Sequence, residues 1–368
     1  LLISDWYIDQ MKQSKNGAKP VPISMKREDY VGEKGIMIPN YPSRTIRIPI
    51  DREALVANGV LSPEEAAVAL DTMEWEIKAK GGSRNPYILR KDSVVIDIVR
   101  NVAANNWERP IYFATLMPAS SFFNLQDYFR MEGIAHRLLP VKKSESTSND
   151  LYYGRIGQDI MLHNLTKVFK YTNLDNPRVY FDEHARNLIV GSSYRNAFFR
   201  LCNSYLDDID KLKARNNQLK AVVASGFEDA DSLQQLIATN EQHIAEKYQH
   251  VEEAMAFMEE KMPHSVIPKS MSLLITHAQL YDRAKLSEQA DAAYELVQEN
   301  ALRQLRNRKM MGQRHNPESI AFRSALISVQ YYARKGDFEK AEAIAKEIQA
   351  ITGSQMGLGL LQQLKGAS

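Results

Sequence analysis

The chain has 368 residues, 44% of them hydrophobic and 25% charged, which excludes wholesale disorder and collagen-like repetition and is length enough for about two to three domains. Its 47 basic and 45 acidic residues leave a net charge of +2, too balanced for a protein that holds nucleic acid through a basic field. Mean hydropathy is −0.40 and no stretch reaches the roughly 18 apolar residues needed to span a bilayer, so a soluble chain is expected. A lone cysteine, Cys202, excludes an internal disulfide, a CxxC redox motif and a multi-cysteine zinc site.

Residues 1–150 alternate strand and helix signals and are expected to form an α/β domain, a mixed or parallel sheet with helices on its faces. Leu1-Leu2-Ile3 reads as the tail of a strand already under way, and no signal peptide precedes it. A domain cut from a longer polypeptide is therefore expected. Trp6, Ile8 and Met11 fall on one side of a short helical stretch. Arg44-Thr45-Ile46-Arg47-Ile48 alternates like a half-buried strand. Ser62-Pro63-Glu64-Glu65 supplies an N-cap, a first-turn proline and first-turn acids, and predicts a helix running to Lys80 before Gly81-Gly82. Val94, Val95, Ile98, Val99 and Val102 mark one face of a helix capped by Asp92 or Ser93. Residues 109–114 and 134–141 read as buried strands, and 142–150 as an exposed polar loop.

Residues 151–191 read as a connecting segment, and 192–368 as long helices broken at Ser225-Gly226, Met262-Pro263, Ile267-Pro268, Asn316-Pro317 and Gly353. A tyrosine followed nine residues later by an alanine occurs at Tyr205/Ala214, Tyr281/Ala290 and Tyr332/Ala341. In 331–341 the aromatic closes one helix, Gly336-Asp337 makes the turn, and the small Ala341 lets the next helix approach, as in a tetratricopeptide hairpin. The copies lie farther apart than the roughly 34 residues of regular arrays. They predict an all-α domain of three irregular helix pairs.

Chemistry-bearing motifs are sparse. GxGxxG after a strand, GxxxxGK[ST], HExxH and GxSxG are all absent. His243 and His250 sit two helical turns apart, too far to chelate one ion without further ligands, and Asp182-Glu183-His184 reads as loop polarity rather than ligation. No metal and no cofactor is expected. Cys202, among Phe198, Phe199, Leu201 and Tyr205, reads as a buried structural thiol. The basic run Arg303, Arg306, Arg308, Lys309, Arg314 and His315 is read first as a solvated helix end opposing the C-terminal dipole. The sharper reading is contact of Arg303, Arg306, Arg308 and Lys309 with anionic lipid headgroups. Trp107 and Arg109 flank a turn at the head of a strand. An aromatic beside a guanidinium suits sugar or phosphate binding, against the alternative of a core indole and a paired arginine.

Three segments carry a resemblance: Leu-Leu-Ile-Ser-Asp-Trp-Tyr-Ile-Asp-Gln-Met-Lys at 1–12, Asn-Trp-Glu-Arg-Pro-Ile-Tyr-Phe at 106–113, and Glu-Gly-Ile-Ala-His-Arg-Leu-Leu-Pro-Val at 132–141. They resemble the soluble C-terminal region of a Bacteroidetes family of polytopic membrane proteins. That family is known as a domain of unknown function, and its N-terminal part is similar to the GT-C protein O-mannosyltransferases. The resemblance implies a domain on the periplasmic side of the inner membrane, joined to an upstream transmembrane region, that grips a protein acceptor or caps an active site. It transfers no catalytic residue to this chain. Asp71-Thr72-Met73, Asp92-Ser93-Val94 and Asp231-Ser232-Leu233 resemble O-glycosylation acceptor triplets of that phylum, a pattern loose enough to arise by chance. The competing readings are a free-standing tetratricopeptide-like scaffold for protein or peptide, and a soluble α/β enzyme with a helical appendage.

Overall fold

The computed structural model describes residues 4–14, 17–30, 37–143, 153–225 and 230–367. The expected strand at 1–3 and most of the expected loop at 142–150 lie outside them. The chain divides into two compact units, Leu1–Met161 and Leu162–Ser368, so the boundary falls inside the segment read as a connector.

The first unit opens with α1 (Asp5–Met11) and α2 (Arg27–Tyr30), followed by β1 (Met37–Pro39), β2 (Arg44–Pro49), α3 (Arg52–Ala57) and α4 (Pro63–Val68). Next come β3 (Thr72–Ile77), β4 (Tyr87–Leu89) and the long α5 (Arg90–Ala104). The short strands β5 (Tyr112–Ala114), β6 (Phe129–Met131), β7 (Ala135–Leu138) and β8 (Arg155–Ile156) lead into α6 (Gln158–His163). In place of one layered sheet there are three small ones. β1 pairs with β4 and β2 with β3, both antiparallel, and a mixed sheet has the order β5-β7-β6-β8 with only β6 and β8 parallel.

The helix expected over 62–80 stops at Val68. Its start is as read: Ser62 and Glu65 form a capping box. Beyond Ala69 the pattern changes period, and Met73, Trp75 and Ile77 are buried while Glu74 and Glu76 are exposed. That alternation forms β3, paired with β2 from Arg44↔Ile77 to Pro49↔Thr72. Trp75 anchors the core; its indole N–H donates to the Phe123 carbonyl at 2.6 Å. Around it gather Met73, Val99, Val102, Phe113, Phe122 and Phe129. A smaller cluster joins Ile8, Ile23, Tyr30 and Val94, but Trp6 is turned outward and 59% exposed.

The second unit is helical throughout its regular structure. A run of π-helical turns (Ala185–Arg195) passes into α7 (Asn196–Ala224), followed by α8 (Ala230–Lys261), α9 (Met271–Arg283) and α10 (Ser287–Met310). α11 (Ile320–Arg334), α12 (Phe338–Thr352) and α13 (Met356–Ala367) complete it. Each helix from α9 on packs on the next, and α10 also meets α12 while α11 meets α13. Three-residue turns join α9 to α10 and α11 to α12, which forces each pair antiparallel.

These two hairpins superpose in sequence at an offset of 51 residues, Tyr281 onto Tyr332 and Ala290 onto Ala341. Their turns share backbone geometry. Leu286 N–H donates to the Tyr281 carbonyl at 3.0 Å, and Asp337 N–H to that of Tyr332 at 2.9 Å. The preceding residue is left-handed in both, Gly336 at φ 86° and Lys285 at φ 62°. The Tyr205/Ala214 copy behaves differently. Both residues lie on the uninterrupted helix α7, because Leu206–Lys213 contains no glycine or proline to turn the chain. α7 and α8 instead form a longer helix pair, registered by a buried hydrogen bond from Asn240 Nδ2 to Asn216 Oδ1 at 2.7 Å.

Candidate functional site

One concavity of the second unit is a groove of about 520 Å³, lined by residues of α9, α10, α11 and α13. Gln279 on α9 and Gln330 on α11 stand on its rim, both exposed, and the 51-residue offset makes them equivalent positions of the two hairpins. Ile327 and Leu364 add half-buried apolar surface. A smaller hollow of about 190 Å³ adjoins it and shares Asp282 and Arg334.

The ionisable groups here are committed to one another. Arg334 Nη2 lies 3.2 Å from Asp282 Oδ2, joining α11 to α9. Tyr331 donates to Asp291 Oδ1 at 2.8 Å, and Lys335 pairs with the other oxygen of the same carboxylate. These partners, the Lys335 hydrogen bond first, hold the Asp291 carboxyl below its ordinary range. Tyr294 and Tyr331 stack at 3.8 Å between ring centroids, and burial pushes the Tyr294 phenol up to about 12. The groove thus combines exposed neutral amides, half-buried aliphatic patches and paired charges.

Elsewhere each unit buries a charged network. In the first, Arg130 fans its guanidinium between two carboxylates, Nη1 to Glu65 at 2.8 and 2.7 Å, and Nε and Nη2 to Glu132 Oε1 at 2.9 and 2.6 Å. Arg155 adds a bond to Glu65 at 3.0 Å, and Tyr112 donates to Glu132 at 2.9 Å. Burial alone would raise the Glu65 carboxyl, but Arg130, the Ser62 backbone N–H and Arg155 together outweigh it and leave it lowered.

In the second unit Glu259 is the carboxylate within a cluster of basic groups. Lys269 pairs with it, His264 donates its backbone N–H at 3.0 Å, and His277 Nε2 lies 3.9 Å away. Arg195, wholly buried, gives Nη2 to the carbonyls of Met262 and Ile267 at 2.7 and 2.6 Å, while its Nε and Nη1 find no acceptor among the described residues. Burial drives the Lys269 ammonium down to about 8 and the His277 imidazole down to about 3. These sites fasten loops to helices. No grouping of three or more His, Cys, Asp or Glu among the described residues is arranged to hold a metal ion.

The residues singled out from the sequence are dispersed. Trp107 is 3% exposed and packs in the core of the first unit, driven inward by a left-handed turn at Asn106 and Trp107 that closes α5. The Trp107 backbone N–H donates to the Val102 carbonyl at 3.0 Å. The ring therefore has no free face for a sugar, and the binding expectation is corrected to a core role. Arg109 is exposed and donates to the carbonyls of Lys19 and Pro20 at 3.1 and 2.6 Å, so it pins the 19–20 loop. In the basic run, Arg306 pairs with Glu347 across to α12 and Arg303 bonds Asn300 on its own helix, whereas Arg308 and Lys309 line a separate hollow. Cys202 is fully buried, which pushes its thiol up to about 12. Gln279 and Gln330 were not picked out from composition or motif. The tyrosine–alanine repeat that aligns the hairpins is the signal that finds them.

No helix of the described residues is long and apolar enough to cross a membrane. No curated protein and no solved structure matches the chain. Residues 1–40 and 32–159 match the family model TMEM260-associated domain 2, a domain associated with a membrane protein family; the match covers almost all of the first unit and none of the second.

Proposed function

We propose that the chain is the accessory part of a membrane glycosyltransferase-like protein, lying on the periplasmic side of the inner membrane and not catalytic by itself. In this reading the first unit ties the chain to its membrane protein, and the helical unit, a tetratricopeptide-like array, positions a protein acceptor or partner. The observation that carries the reading is the match of 1–159 to a domain associated with a membrane protein family. The groove supports the second half of it: equivalent amides, Gln279 and Gln330, recur on α9 and α11 where an extended peptide backbone would run.

Fractionation of the source cells with an antibody against this chain tests the first half. An inner-membrane band much larger than 41.9 kDa is expected. A band near 41.9 kDa outside the membrane fraction would replace this reading with a free-standing peptide-binding scaffold. For the second half, the full-length protein carrying Gln279→Ala with Gln330→Ala should lose acceptor modification while remaining in the membrane. Unchanged acceptor turnover would remove the groove from the mechanism.

A further inference from the structure

A second hollow of the helical unit, about 270 Å³, lies where the C-terminal ends of α10 and α12 meet the turn that leads into α11. Arg308 and Lys309 come to it from the last turn of α10, Arg314 and His315 from the turn, and Ser319, the N-cap of α11, closes it. Among the described residues its lining contains no aspartate or glutamate. That sets it apart from the groove, where each charge meets its opposite.

The fold holds these cations together. Gly312, left-handed at φ 65°, turns the chain so that the Gln313 N–H returns to the Arg308 carbonyl at 3.0 Å and α10 ends there. His315 lies with its ring 4.5 Å from that of Phe322, which is fully buried, so the imidazole is anchored beside α11. Lys309 donates to the Ala350 carbonyl at 2.8 Å, placing its ammonium over the end of α12. Arg308 and Arg314 make no ion pair among the described residues. Two forked guanidinium donors, an ammonium, an imidazole and the amino end of a 15-residue helix converge on a concave space. This is the donor set that recognises a tetrahedral oxyanion.

We propose that this hollow binds the phosphoryl group of a phosphate-bearing ligand, gripped by Arg308 and Arg314 and steadied by Lys309 and His315. The shared chemistry fits a free phosphate ester or a lipid headgroup phosphate, and it does not depend on the glycosyltransferase reading.

The test is calorimetric titration of the purified chain with inorganic pyrophosphate, alongside co-sedimentation with phosphatidylcholine vesicles doped with phosphatidylglycerol. Arg314→Ala and Arg308→Ala are compared with Arg215→Ala, which removes the same charge from the exposed surface of α7. Saturable pyrophosphate binding that weakens about tenfold in each pocket variant, and stays unchanged in Arg215→Ala, supports the site with a free ligand. Vesicle binding alone, with the same variant pattern, supports the headgroup as its source. Absence of both, or equal losses in Arg314→Ala and Arg215→Ala, overturns the proposal.

Discussion

The two units bury charge differently: in the first, two carboxylates share the guanidiniums of Arg130, Arg137 and Arg155, whereas in the second a single carboxylate stands among basic groups. In the first, Arg130 is matched on both sides by carboxylates, and Arg155 and Tyr112 fill remaining acceptor positions of Glu65 and Glu132. In the second, Glu259 faces Lys269, His277 and His264, with Arg195 close enough to depress the Lys269 ammonium further. The first network is fragile to the loss of Arg130, because it is the one guanidinium that serves both buried carboxylates. A cation-rich network tolerates losing a cation and is instead vulnerable to gaining a proton.

The largest expected effect tests the first network. Arg130→Met should cost about 3–5 kcal/mol by leaving Glu65 and Glu132 buried without their shared partner. The tryptophans Trp6, Trp75 and Trp107 all lie in the first unit, so the urea midpoint by tryptophan fluorescence reads it directly. A loss below about 1 kcal/mol would mean the network is looser than its distances indicate.

Acid comes next. His277 titrates near 6.5 when unfolded and at about 3 in the fold, where burial and Lys269 keep it neutral. Between those values the unfolded chain binds a proton that the folded chain refuses. Stability is therefore intact above about pH 6.5 and falls by up to about 1.4 kcal/mol per unit as the pH drops toward 3. Glu259, its carboxyl held low mainly by Lys269, adds loss in the same direction below its ordinary value of 4.5. His277→Phe, which keeps a ring against Phe199 and Tyr281, should flatten the fall of the far-UV circular dichroism midpoint between pH 6.5 and 4.5. An unchanged slope would assign the acid sensitivity to other groups.

Arg195→Met should cost only about 1–3 kcal/mol, since the two freed carbonyls are neutral and a poorly paired charge leaves the interior. A loss equal to that of Arg130→Met would erase the contrast between the networks. The smallest effect lies in the hairpin turns. Lys285 holds the left-handed conformation that its counterpart Gly336 adopts freely, so Lys285→Gly should raise stability by about 0.5–1 kcal/mol, read as a higher thermal midpoint by circular dichroism.

Much of the second unit was legible because its signals are local. Ser319, Gly336 and Gly353 mark helix ends, and buried tyrosines and alanines recur with the hairpins. The first unit was harder, since β3 follows a strong helix start without a break, and its alternation is only three buried positions long. The decision between helix and strand there was made by pairing with β2, contacts far apart in sequence. The groove was not legible, because Gln279 and Gln330 acquire meaning only once α9 and α11 lie side by side. The network at Glu259 left no trace in spacing. Its members come from α8, α9, the loop between them and the end of the π-helical run, and what unites them is that loop. Trp107 was noticed for a true peculiarity, an aromatic at a turn, but the left-handed backbone there aims it inward.

The isolation of Cys202 gives the molecule a built-in clock. A thiol that is fully buried and pushed up to about 12 cannot meet a disulfide reagent until its surroundings open. Its modification rate in native buffer therefore times the opening of the helical unit alone, while the tryptophans report on the other half, so the two units can be followed independently without adding a label.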